Sequence, residues 1–245
     1  AQYSLRDERR DRKSGRIWRI MPKGAEPVNP PKIYGTSLPQ LLNLLKRPEY
    51  RYRYWAKREI REMEPIRVKR ALDQWIKNLD PKDPRHRHHQ VEAMWTYRNV
   101  EQSNIHLLSE LLQCENHNAR AAAARQLRHW HSLSKEGDDL LTKAALDQSG
   151  LVRLEAAIAC SYIGTENAFE TLKVISTQPN DKHLSYAIKT SFGSAPMRKF
   201  WDPRDSKFKE PIVYNFLSAQ KKQEVKMEKS RSDNKFDRQK NLLKV

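Results

Sequence analysis

Five alanines recur along this chain at nearly constant spacing, and that recurrence restricts the fold more than any other feature. Ala56, Ala93, Ala123, Ala156 and Ala187 lie 37, 30, 33 and 31 residues apart. Each falls inside a similar unit: a short apolar run, a polar turn, then a second amphipathic run holding the alanine. "LLNLLKRPEYRYRYWAKREIREM" from Leu41, "LLSELLQCENHNARAAAARQLRHW" from Leu107, "LLTKAALDQSGLVRLEAAIACSYIG" from Leu140 and "ETLKVISTQPNDKHLSYAIKTSFG" from Glu170 show the pattern, and "HHQVEAMWTYRNV" carries Ala93. Apolar residues recur in these units at three and four residues, as on one face of a helix. A period of 30 to 40 residues built from helix pairs predicts a stack of hairpins, each burying an apolar face against its neighbours. Alanine at the repeated position marks a close approach of two helices.

A second column lies three residues before the first. Arg53, Arg120 and Arg153 occupy it, with Gln90 and Leu184 as departures. An arginine at the start of each second helix, beside a polar turn, suits an ion pair or carbonyl contact between adjacent repeats, with Asp147 or Glu155 as partner. The same arginines could instead form a basic ridge for a ligand, so Arg53, Arg120 and Arg153 are also candidate partner-binding residues.

The repeats occupy residues 37–200. Ahead of them, Pro22, Pro27, Pro30, Pro31 and Pro39 with Gly24 and Gly35 preclude a regular element and indicate an extended linker. Before the linker, Gly15 to Ile20, "GRIWRI", alternates like a strand that a helical body gives no ladder partner. Arg16, Trp18 and Arg19 of this edge are further candidate partner contacts. Residues 1–36 therefore form an extended N-terminal segment. "FWDP" from Phe200 closes the repeats, and residues 201–245 form a basic C-terminal extension, whose part from Lys221 onward is expected as a solvated helix or flexible tail.

The chain carries 47 lysines and arginines against 30 acids, a formal charge of +17. That balance favours an acidic partner, and the excess is spread over both termini. Hydrophobic residues make up only 38%, and charged residues 31%, which suits an elongated protein rich in surface. No apolar run is long enough to cross a membrane. The sequence opens at Ala1 without a signal-peptide pattern, as a natural, processed or fragment start would.

The units resemble HEAT repeats, "SGLVRLEAAIACSYIG" and "HNARAAAARQLRHW" most closely, over about residues 40 to 195. That resemblance implies an all-α, HEAT-like α-solenoid of about five helical hairpins, acting as a binding scaffold. The order of motifs from "RDERRDRKSGRIWRIMPKG" through the proline-rich link to the repeats is similar to the region that follows the β-propeller in bacterial membrane-bound dehydrogenase-like proteins, of planctomycete and verrucomicrobial type. It implies that "GRIWRI" is the last strand of a propeller. It also implies an exported or periplasmic setting, membrane association through partners, and a β-propeller or cytochrome c domain as protein partner. Haem c, calcium and quinone would then belong to parts of a parent sugar-dehydrogenase-like oxidoreductase outside this sequence, which has no Cys-x-x-Cys-His haem motif.

Few motifs suggest chemistry within the chain. "RHRHH" from Arg85 places His86 and His89 three residues apart, a spacing two metal ligands could use, but no carboxylate–histidine set completes a site and a polar first turn of a helix explains it. Cys114 and Cys160 form no metal-binding or redox pair. No nucleophile elbow or phosphate-binding glycine loop occurs. His129 and His131 fall near the end of a helix, where cations are favoured. Trp55, Trp75, Trp95 and Trp130 are expected to pack between repeats. The sequence thus predicts a non-catalytic scaffold for protein interaction, with a nucleic-acid-binding helical-repeat protein as the alternative, its arginines and basic termini meeting phosphates.

Overall fold

A computed structural model describes residues 8, 20–26, 29–202, 204, 210–222 and 226. The chain divides into two units, residues 1–32 and 33–245. In the first, Ala25 donates to the carbonyl of Pro22 across a turn that places Gly24 at φ 81°. Ile20 is exposed and outside any strand; the remainder of the "GRIWRI" strand, with Arg16, Trp18 and Arg19, lies outside the described residues.

The second unit is all-α. Its helices are α1 (Leu38–Leu44), α2 (Tyr50–Arg61), α3 (Pro65–Lys77), α4 (His86–Asn99), α5 (Ile105–Leu112), α6 (His117–Trp130), α7 (Gly137–Ala145), α8 (Gly150–Ile163), α9 (Glu166–Ser176), α10 (Lys182–Phe192) and α11 (Ala195–Arg198). Local sequence sets their starts. The backbone N–H and hydroxyl of Ser37 both donate to Gln40 Oε1 ahead of α1. The side chains of Asn104, Asn116, Thr165 and Asp181 accept backbone N–H groups of the first turns of α5, α6, α9 and α10, satisfying donors that a helix cannot pair internally. The end of α8 is set by Gly164 at φ 66°, where a Cβ would also lie 2.7 Å from Pro196.

The helices pair as five hairpins, α1–α2, α3–α4, α5–α6, α7–α8 and α9–α10, and form two layers. Second helices pack on second helices in successive repeats, and first helices on first helices at α1–α3, α5–α7 and α7–α9, giving a HEAT-like solenoid. Between the layers lie the leucine pairs of the first helices, among them Leu41, Leu108, Leu111, Leu141 and Leu172, all fully buried; each contributes roughly 1.5–3 kcal/mol relative to exposure. The alanine column is buried throughout: Ala56, Ala93, Ala123 and Ala156 are inaccessible and Ala187 nearly so.

Past α10 the packing becomes aromatic. Phe169 stacks on Phe200 at 5.2 Å and meets Phe192 edge-on, and Trp201 Nε1 donates to the carbonyl of Phe192. Residues 211–222, within the segment predicted only as a basic extension, are helical; Val213 is fully buried and Phe216 meets Phe192.

Candidate partner-binding surface

The arginine column is the polar counterpart of the alanine column. Arg53, Arg120 and Arg153 each donate through Nη1 to the carbonyls five and six residues earlier: Pro48 and Arg47, Glu115 and Cys114, Gln148 and Asp147. Each also reaches into the next repeat. Arg53 Nε bonds Glu92 at 2.8 Å, Arg120 forms a two-pronged pair with Asp147 at 2.7 and 3.1 Å, and Arg153 Nη2 donates to the carbonyl of Pro179. These contacts are of the ion-pair and carbonyl kind; Arg120 and Arg153 are only 8% exposed, and Arg53 is half-buried. Glu155, the other partner expected for them, instead pairs with Arg125 and Arg128. In the second repeat, where the column holds Gln90, Arg87 takes over: its Nη1 bonds both Gln90 and Glu110.

Burial raises the proton affinity of the Asp147 carboxyl, but the Arg120 pair and the Ser149 N–H outweigh it and hold the group below its ordinary value. The histidines of "RHRHH" go separate ways. His86 Nδ1 meets the carbonyl of Asp80, and His89 Nε2 lies 3.2 Å from Asp83. His89 is buried with no partner on Nδ1, and its pKa is lowered chiefly by burial, against the raising effect of Asp83. Among the described residues no group of three or more His, Cys, Asp or Glu is placed to hold a metal ion. Cys114 and Cys160 are buried free thiols with pKa values pushed up by burial.

The exposed functional chemistry lies on the second helices, on positions the columns do not mark. Trp55, Tyr162 and Tyr186 are exposed, so Trp55 departs from the expected inter-repeat packing, while Trp75 and Trp130 are buried and Trp95 packs partly against the core. Cations accompany these rings: Arg58 over Trp55 at 4.9 Å, Lys57 over Trp95 at 5.3 Å and Arg128 over Tyr162 at 5.0 Å. Buried carboxylates neutralise part of the row. Glu92, 2% exposed, holds Arg53 and Lys57, and Glu155 holds Arg125 and Arg128.

Between α2 and α4 the balance changes. A cleft of about 400 Å³ is lined by Tyr54, Lys57, Arg58, Arg61, Trp95, Arg98, Asn99 and Glu101. Asn99 Nδ2 ties the two helices by donating to the carbonyl of Lys57. Arg58, Arg61 and Arg98 are exposed and form no ion pair among the described residues. The charge of Arg98 is felt nearby: the pKa of His129 is lowered by burial first and then by Arg98 and Arg128. Sequence inspection missed this cluster. Its only sequence signal is basic residues two and five places after the column alanine, at Arg58, Arg61, Arg98, Arg125 and Arg128.

The HEAT-repeat family model matches residues 104–190. Those residues form a HEAT-repeat region. It coincides with α5 to α10. No curated protein matches the chain. No helix among the described residues is long and apolar enough to cross a membrane. HEAT repeats serve generally as helical scaffolds for protein interaction, and the exposed second-helix face extends from this region back across α2 and α4.

Proposed function

We propose that the chain is a non-catalytic helical-repeat scaffold that binds other protein domains, forming the post-propeller segment or subunit of an exported, dehydrogenase-like electron-transfer protein. The observation that carries the scaffold assignment is the second-helix face: it holds exposed aromatic and cationic side chains on a frame whose column arginines are engaged between hairpins. The propeller-linked setting, the periplasmic location and a β-propeller or cytochrome c domain as partner rest on the motif order described above. In that setting haem, calcium or quinone chemistry belongs to the partner.

Photo-crosslinking residues placed at Tyr162 and Tyr186, in the cell that makes the protein, test this function. The expected product is a covalent adduct with an exported protein bearing a propeller or cytochrome c domain. Adducts with nucleic acid, or none to any polymer, would overturn it.

A second function, nucleic-acid binding, draws support from the net charge of +17 and from Arg58, Arg61 and Arg98. It would show as binding that weakens steeply with salt.

A further inference from the structure

We infer that the cleft between α2 and α4 binds an acidic, extended peptide segment of a partner protein, with Arg58, Arg61 and Arg98 receiving its carboxylates. This rests on the scaffold function proposed above and names the chemistry of one of its contacts.

Three features carry the inference. The first is uncompensated charge. Arginines near helix C-termini are individually favoured by the helix dipole, which accounts for Arg58 and Arg61 on α2 and Arg98 on α4 one at a time. It does not account for their meeting across an open cleft in which Glu101 is the one lining carboxylate. Glu92 supplies an acid to Lys57, and farther along the same face Glu155 supplies one to Arg125 and Arg128, but neither pairs with Arg58, Arg61 or Arg98.

The second is shape and donor geometry. The guanidinium fork matches a carboxylate in two parallel hydrogen bonds, and about 400 Å³ admits a few side chains, not a folded domain. Asn99 spends its Nδ2 on Lys57, which leaves its Oδ1 to accept an N–H of an extended backbone. Tyr54 and Trp95 give the cleft apolar walls for the segment's hydrocarbon parts.

The third feature argues against a nucleic acid. A strand of phosphates needs a continuous basic track and rings open for base stacking. Here Glu92 and Glu155 interrupt the row, and Trp55, Trp95 and Tyr162 each already carry a cation on one face.

Fluorescence anisotropy on the full chain tests the site, with a fluorescein-labelled (Glu-Asp)₅ decapeptide at about 50 mM NaCl and a labelled uridine decamer as comparison. The peptide is expected to bind at micromolar concentration. Arg61→Glu/Arg98→Glu should weaken it at least tenfold, whereas Lys143→Glu/Lys182→Glu, an equal charge change on exposed residues elsewhere, should alter it less than twofold. Should the first variant unfold, Arg61→Gln/Arg98→Gln provides the same comparison, with a loss of at least threefold expected. Absence of peptide binding, equal losses in the cleft and control variants, or tighter binding of the uridine decamer through the same arginines would overturn the inference. Protein adducts from Tyr162 and Tyr186 that persist despite such a result would leave the scaffold function standing without this site.

Discussion

The two ends of the repeat array use their second helices differently. In α6 and α8 the alanine column is flanked by further small residues, Ala121, Ala124, Ala157 and Ala159, all buried, and the two helices make the most extensive packing of any pair in the protein. In α2, only Ala56 and Ile60 of twelve residues are buried, and α2 meets α4 sparsely. What joins them is polar: Arg53 and Lys57 on Glu92, and Asn99 on a backbone carbonyl. Small side chains bring helices into contact and expel water. Long charged ones hold them apart, and the space they keep is the cleft. One repeat architecture thus serves as a rigid body at α5 to α10 and as a receptive surface at α2 and α4.

Arginine replacement should break this contrast most strongly. Arg120→Ala removes the donor of two turn carbonyls and leaves the Asp147 carboxylate with only the Ser149 N–H, and should cost about 3–5 kcal/mol in urea unfolding. Arg53→Ala should cost clearly less, because Lys57 continues to hold Glu92. Equal losses would mean that the two ends are locked alike. Overpacking comes next. Ala156→Leu or Ala123→Leu should cost roughly 1–3 kcal/mol and Ala56→Leu less, as read from thermal melts; a melt unchanged by Ala156→Leu would refute the close approach of α6 and α8. Gly164→Ala, which puts a side chain into the left-handed region and against Pro196, should cost about 1–3 kcal/mol by the same measurement.

A smaller effect concerns pH. The pKa of His89 is lowered in the folded protein, so the unfolded chain binds its proton more readily and stability is full only above the ordinary histidine value of 6.5. As pH falls below 6.5 toward the lowered folded value, that contribution is lost, because the incoming proton would sit on the buried Nδ1, which has no acceptor. Melting temperature should decline over this range in the native protein and less so in His89→Gln. The smallest effect should come from the cleft. Arg61→Ala and Arg98→Ala, both at exposed positions, should change stability by no more than about 0.5 kcal/mol. A larger loss would make them part of the fold.

How much of this was visible in the amino-acid order follows from the same contrast. Ala123 and Ala156 could be aligned because tight packing tolerates one small residue at one depth, and the requirement repeats with each hairpin. Arg120 and Arg153 could be aligned because the carbonyls they serve recur five and six residues before them. The cleft had no such signature. Arg61 and Arg98 look like any basic residue near a helix end. Their significance depends on Glu92 neutralising Lys57 rather than either of them, a choice made by side-chain geometry 30 to 40 positions away in sequence. Trp55 misled for a related reason: its helical spacing matches a buried stripe, but no other helix among the described residues covers it, and it is 42% exposed.

The line of arginines ends where the fifth repeat puts Leu184 in the column, and there the structure changes its means of cohesion. Up to that point a guanidinium keys each hairpin to the next, Arg53, Arg120 and Arg153 also holding their own turns while Arg87 only reaches forward to Glu110, so loosening one hairpin is felt by the following one. Beyond α10 the neighbour is residues 211–222, joined through Phe192, Phe216 and Val213. Hydrocarbon contact of this kind has no directional key, and its polar supplement differs from the arginine column: Lys173 pairs with Glu210 and the Tyr214 hydroxyl donates to the carbonyl of Trp201. Pulled from its C-terminal side, the array should first release this plate of residues 211–222 and only then yield hairpin by hairpin, its arginines resisting in turn.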